Sequence, residues 1–154
     1  MRYRLAASVL AVAVVFAGLG RRVETASLPA IQGVVSGVEL CPQFLCGSAI
    51  FIGIFNGQVG FNPNAYGLMV VQVNHDPLPD PFASAAITGG TWDLYVGLRH
   101  VSGGVGGSLT NNGNETFTVD TTLPIASGGR GSINFLGLLD HNVFPPTIAG
   151  AITQ

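Results

Sequence analysis

A chain of 154 residues with 22 glycines, 9 prolines, 47% hydrophobic and only 9% charged residues is too apolar for a disordered polymer and too rich in helix breakers for a helical one. All six basic residues are arginines, and four of them (Arg2, Arg4, Arg21 and Arg22) crowd the amino-terminal end, so the region beyond residue 27 sets two positive charges, Arg99 and Arg130, against seven negative ones, for a net charge of −5. So acidic a surface, with no basic stripe and no aromatic-basic interleaving, excludes a phosphate backbone, and nucleic acid is not expected as a partner.

Arg2 and Arg4 precede an unbroken apolar and small-residue run, Leu5 to Gly20, the pattern of a secretory leader. As a helix this run reaches roughly 24 Å, short of the roughly 30 Å hydrocarbon core. The reading is therefore a signal peptide over 1–26, cleaved within 20–30 near Ala26, Ser27 or Ala30, followed by one β domain over 27–154. This makes the protein secreted or periplasmic, with no stable membrane span after cleavage. Cys41 lies too far downstream to accept a lipid anchor.

In chain order, Ile31 to Leu40 reads as a strand bent at its glycines, with Val34, Ser36, Val38 and Leu40 sharing one parity. After the compact CPQFLC loop, Ala49 to Phe55 is apolar on both parities and predicts a central strand buried on both faces. Asn56-Gly57 suits a tight turn, but the stronger turn signal in Gly60 to Tyr66 lets the strand run on through Gln58 and Val59. Gly67 to Asn74 alternates, with Met69, Val71 and Val73 on one face.

Three prolines in Pro77 to Phe82 predict a surface crossing. In Thr91 to Arg99, Trp92, Leu94, Val96 and Leu98 point one way, and Trp92 is a candidate core residue. The GGVGG of Gly103 to Gly107 reads as a flexible turn, since no helix follows to make it a phosphate loop.

Ser108 to Thr110 pairs with Glu115 to Val119 across Asn111 to Asn114, placing Phe117 and Val119 inward and Thr116 and Thr118 outward. Strands at Ser132 to Leu139 and Ile148 to Thr153 complete the count. The small-residue pattern of the last echoes the first, and pairing the two would close the sheet. The expectation is an all-β fold, a small, mainly antiparallel β-barrel of about eight strands, with a two-sheet β-sandwich as the alternative.

Chemistry has few places to reside. Cys41 and Cys46, the only cysteines of an exported chain, read as a disulfide. Closing so short a loop stabilises by about 2 kcal/mol on the chain-entropy model. The redox alternative lacks the C-x-x-C spacing.

His75-Asp76, His100 and Asp140-His141 each sit where a strand should end. Brought to one rim, they would be acid-base candidates, and His75, His100 and His141 would be ligands for zinc. Their spacing matches no metal motif, and residues of these types also cap turns, so no cofactor is predicted from spacing alone. Asn114-Glu115-Thr116 forms a glycosylation sequon that reads first as a turn. There is no G-x-S-x-G and no G-x-G-x-x-G between strand and helix.

Three functional readings follow: a non-enzymatic module binding a small apolar ligand or an envelope partner through its mouth or loops, a hydrolase or lyase built on the histidines and aspartates, and a structural surface component.

Overall fold

The structure, a computed structural model, describes residues 30–40, 47–75 and 83–154. The leader, Cys41, Cys46, Asp76 and the proline-rich crossing fall outside the described residues. Among the described residues nine strands follow one another: β1 (Ile31–Leu40), β2 (Ser48–Val59), β3 (Asn62–His75), β4 (Ala85–Val96), β5 (Arg99–Gly104), β6 (Gly106–Asn111), β7 (Thr116–Ser127), β8 (Ser132–Asp140) and β9 (Thr147–Thr153).

Each strand pairs antiparallel with its chain neighbours, except that β5 and β6 both lie between β4 and β7. Along β7 the partners Gly103↔Ile125 and Gly106↔Thr122 share one register, so β5 and β6 are two halves of a single stave interrupted at Val105. β9 then pairs with β1 from Gly33↔Ile152 to Val38↔Thr147. The result is a closed up-and-down barrel of eight staves, as the first-to-last echo implied, and not a sandwich. Closure leaves no long unpaired edge, which an exposed sheet of this apolarity would otherwise present to other chains.

The interior is filled by the inward parity of every stave. Trp92, Phe55, Leu94, Leu123, Ile133 and Ile152 are wholly enclosed, and Phe117 and Val119 face inward as the alternation required. On β1 the structure settles which parity faces inward, and on β2 the expectation of burial on both faces fails. The parity shared by Val34 and Leu40 faces outward, while Ile31 and Val35 fill the core. On β2 the set Ala49, Phe51, Gly53, Phe55 and Val59 is buried; Ile50, Ile52 and Ile54 stay 39%, 36% and 41% exposed on the outer wall. A run apolar on both parities here marks a strand with an apolar outer face, because a single-layered barrel has nothing packed outside it.

Leu98 does not join the inward set either. β4 ends at Val96, and Leu98 stands fully exposed in the Gly97-Leu98 turn, where Gly97 takes a φ of 58°. β4 also begins earlier than the pattern suggested, at Ala85.

Glycines on the inner wall make room for aromatic rings. Phe135 lies across Gly137 and Gly150, which are cross-strand partners: a Cβ on either would sit 2.5 to 2.6 Å from the ring. Gly33↔Gly57 and Gly37↔Gly53 are similar facing pairs, at which β1 and β2 approach too closely for side chains.

The same principle corrects the reading of GGVGG, which is strand throughout except at Val105. Trp92 faces Gly103 across the ladder, and its indole N–H reaches over β5 to donate to the Pro124 carbonyl of β7 at 3.1 Å. A Cβ at Gly103 would collide with that carbonyl and lie 2.9 Å from the indole nitrogen. Gly107, at a φ of 149°, meets the backbone of Asp120 and Thr121 as closely.

One consequence separates these glycines. Gly103→Ala should destabilise the barrel by about 1–3 kcal/mol through forced displacement of Trp92 or β7. Gly106→Ala, whose Cβ would meet nothing within 4 Å, should leave the denaturation midpoint close to that of the parent. Equal effects of the two substitutions in urea unfolding would refute this account of the run.

Candidate functional site

The two ends of the barrel differ. At one end the connections are brief: residues 60–61, 97–98 and 128–131, with Ile31 and Gln154 beside them. The other end carries the connections 41–47, 76–84, 112–115 and 141–146. Loops on a rigid β scaffold are where binding groups gather, which directs attention to this second, loop-rich end.

Antiparallel order decides where the histidines go. His75 closes β3 and His141 follows β8, both at the loop-rich end, but β3 and β8 are four staves apart in a ring of eight and so face each other across the barrel. His100, near the start of β5, lies at the opposite end. There its Nε2 meets Asp93 Oδ1 at 2.7 Å, and its ring stacks on Tyr95 with centroids 4.5 Å apart at 4°. This is an exposed cross-strand cluster on the outer wall, of the kind that contributes little to stability.

The candidate constellation is thus divided: His75 and His141 occupy opposite sides of one rim, His100 is at the other end, and Asp76 lies outside the described residues. Among the described residues, no three histidines, cysteines or carboxylates gather as metal ligands.

The structure instead pairs His141 with Glu39. The Nε2 and Oε2 atoms are 2.9 Å apart, with the two side chains 18% and 8% exposed. Glu39 is the last inward-facing residue of β1, sharing the parity of Ile31 and Val35, and its backbone N–H donates to the Pro146 carbonyl at 2.8 Å. A carboxylate on the buried parity at a strand end was the signal in the sequence that could have singled it out. The His141 ring also tilts against Phe117, 5.2 Å between centroids at 51°.

Around this pair the rim is knitted by polar contacts. The His141 N–H donates to the Glu115 carbonyl at 3.0 Å, and Asn142 Nδ2 donates to the Asn114 carbonyl at 2.9 Å, tying the 112–115 turn to the 141–146 loop. Asp140 accepts from both the backbone and the side-chain N–H of Asn142, each at 2.8 Å. Those two donors, the side chain first, with the nearby His141, hold the Asp140 carboxyl below the usual carboxylate range. Asn114 sits within this turn at a φ of 47°, and its Oδ1 accepts from the Thr116 hydroxyl at 3.0 Å, so the sequon's asparagine and threonine serve the turn.

Below the loop-rich end the barrel encloses a cavity of about 40 Å³. Phe51, Met69, Leu109, Val119 and Phe135 are among its walls, and among the described residues the only polar side chain on it is the hydroxyl of Thr121. None of the four described acid-base candidates, His75, His100, Asp140 and His141, lines it. A histidine oriented by a carboxylate is half of an acid-base arrangement. Here that half is spent fastening a loop to the mouth of β1, while the cavity beneath is apolar.

His141→Ala should therefore act on stability, leaving the Glu39 carboxylate enclosed without its partner at a cost of about 1–3 kcal/mol. Glu39→Gln, which keeps a hydrogen-bonding group in place, should cost less than half as much in the same urea titration. A His141→Ala barrel as stable as the parent would show that the pair fastens nothing.

Comparison with protein-family models, with curated proteins and with solved structures returns no significant match.

Proposed function

We propose that this chain is an exported, non-enzymatic binding barrel that takes a small apolar molecule into the half of its interior beneath the loop-rich end. The observation that carries this reading is the cavity itself: enclosed within the staves, walled by aliphatic and aromatic side chains, with one hydroxyl available to orient a guest. At about 40 Å³ it is roughly a quarter of the 150 Å³ apolar cavity that accommodates benzene. Its guest is accordingly slender, or enters as Met69, the most pliable of the walls, changes rotamer. The hydrolase or lyase reading loses support because its histidines are dispersed over two ends and two sides of the barrel.

Export rests on the leader over 1–26, and a Cys41–Cys46 bridge would stiffen the connection from β1 to β2 at the same loop-rich end. Intact mass of the exported form tests both: a start within 20–30 and a deficit of two hydrogens are expected, and an uncleaved or fully reduced chain would remove the respective element.

Methyl-detected NMR during titration with benzene or xenon tests the binding reading. Saturable shifts at the methyls of Leu109 and Val119 are expected, and Val119→Leu, which fills the void, should abolish them while the barrel melts at an equal or higher temperature. A folded protein whose methyls do not respond at saturating benzene and xenon would overturn the proposal.

A further inference from the structure

The outer wall of the barrel is divided into an apolar half and a polar half. Across β1, β2, β3 and β4 the outward positions Ser36, Ile54, Leu68 and Tyr95 form one cross-strand row, extended the other way by Ala149 and Leu138. The adjacent row sets Val38 beside Ile52 and Val70, with Leu40 and Ile50 beyond them. Leu136, Ala151 and Val34 make a third row on the other side. The remaining wall, on β6 and β7, presents Ser108, Thr110, Thr118, Asp120 and Thr122.

Counting Tyr66 beside Asn56, ten large apolar side chains of the first half stand exposed. At their observed exposures they leave roughly 800 Å² of apolar surface uncovered, beyond the roughly 300–600 Å² that the largest patch of a monomer usually reaches. It equals the roughly 800 Å² that one partner contributes to a standard interface.

From this we infer that the wall formed by β8, β9, β1, β2, β3 and the Tyr95 end of β4 is the interface of a homodimer, two barrels packed side by side about a two-fold axis near Val38 and Ile52. Area is the first argument. Charge is the second: the described residues carry five carboxylates against two arginines, so two copies repel one another over most of their surface. The apolar rows contain no carboxylate and no arginine, and the nearest carboxylates, Asp93, Asp120 and Asp140, stand at their margins as neighbours of Val70, Leu136 and Thr147, with His100 beside Tyr95. This wall is therefore the broad face on which like-charged copies approach without setting acid against acid.

A bilayer is the poorer occupant, since a spanning barrel needs an apolar belt around its whole circumference and β6 and β7 supply hydroxyls and a carboxylate. Face-to-face packing of two such walls is the ordinary sheet-on-sheet arrangement, with side chains interleaved across about 10 Å. A two-fold axis lets one patch serve both partners.

Sedimentation equilibrium of the purified protein tests the inference. A dimer is expected at tens of micromolar, tightening as salt is raised because the acidic margins are screened while apolar burial is not. Ile52→Glu should weaken the association at least tenfold with an unchanged circular dichroism spectrum, whereas Thr118→Glu on the polar half should leave it intact. Should Ile52→Glu unfold, Leu138→Gln asks the same question with a milder change and should also yield a monomer. A parent protein that stays monomeric, a dimer indifferent to both apolar-wall substitutions, or a monomer that floats with phosphatidylcholine vesicles would each overturn the inference.

Discussion

The structure depends on how a narrow barrel interior is filled. Eight staves enclose a space that inward side chains occupy except for the small cavity beneath the loop-rich end, and the supply is fixed at every second residue of each strand. Here the filling is done by a few large rings, Trp92, Phe55, Phe135 and Phe51, and such rings fit only because the wall beside them is cut back to backbone. Phe135 rests on Gly137 and Gly150, Phe55 on Gly33, and the Trp92 indole crosses Gly103 to reach the Pro124 carbonyl. Aromatic and glycine are thus a single device. Adding a methyl to the glycine costs as much as mispacking the ring.

That device explains which parts of the fold were legible in the sequence. The meander from Ser108 onward alternates cleanly on β6 and β7, because their polar outer faces let hydroxyls mark the outward parity, and its register follows from the pattern. β2 was not legible in the same way. Its outer isoleucines belong to the apolar wall, so period two is erased and the run resembles a strand buried on both sides. The GGVGG run was misread for a different reason. Glycine's preference for turns is a property of the isolated residue, whereas Gly103 and Gly107 are demanded by the close approach of β7, a contact between residues far apart in sequence.

The candidate site was legible only in part. The expectation that each histidine sits where a strand should end holds for His75 and for His141 just past β8, whereas His100 lies inside β5; strand ends also come in two sets, and parity of strand number sends His100 to the opposite end from His75 and His141. Nothing in local spacing carries that information; it requires the count of strands, with β5 and β6 taken as one. Glu39 went unmarked because a lone glutamate at a strand end looks like a solvated terminus. Its role becomes visible once Ile31 and Val35 identify its parity as the inward one.

The first and last staves meet at one end of the barrel. The side-chain carbonyl of Gln154 accepts from the Ile31 N–H at 2.9 Å, so the first and last staves begin and finish side by side at the end with the brief connections. The seam between β1 and β9 is chemically an ordinary strand junction, and the starting point of the polypeptide is arbitrary with respect to the sheet. A chain opened in one of the loops and joined across Ile31 and Gln154 would trace the same ring of staves. Ile31 and Gln154 thus meet at the short-loop end, on the side of the barrel away from the cavity end.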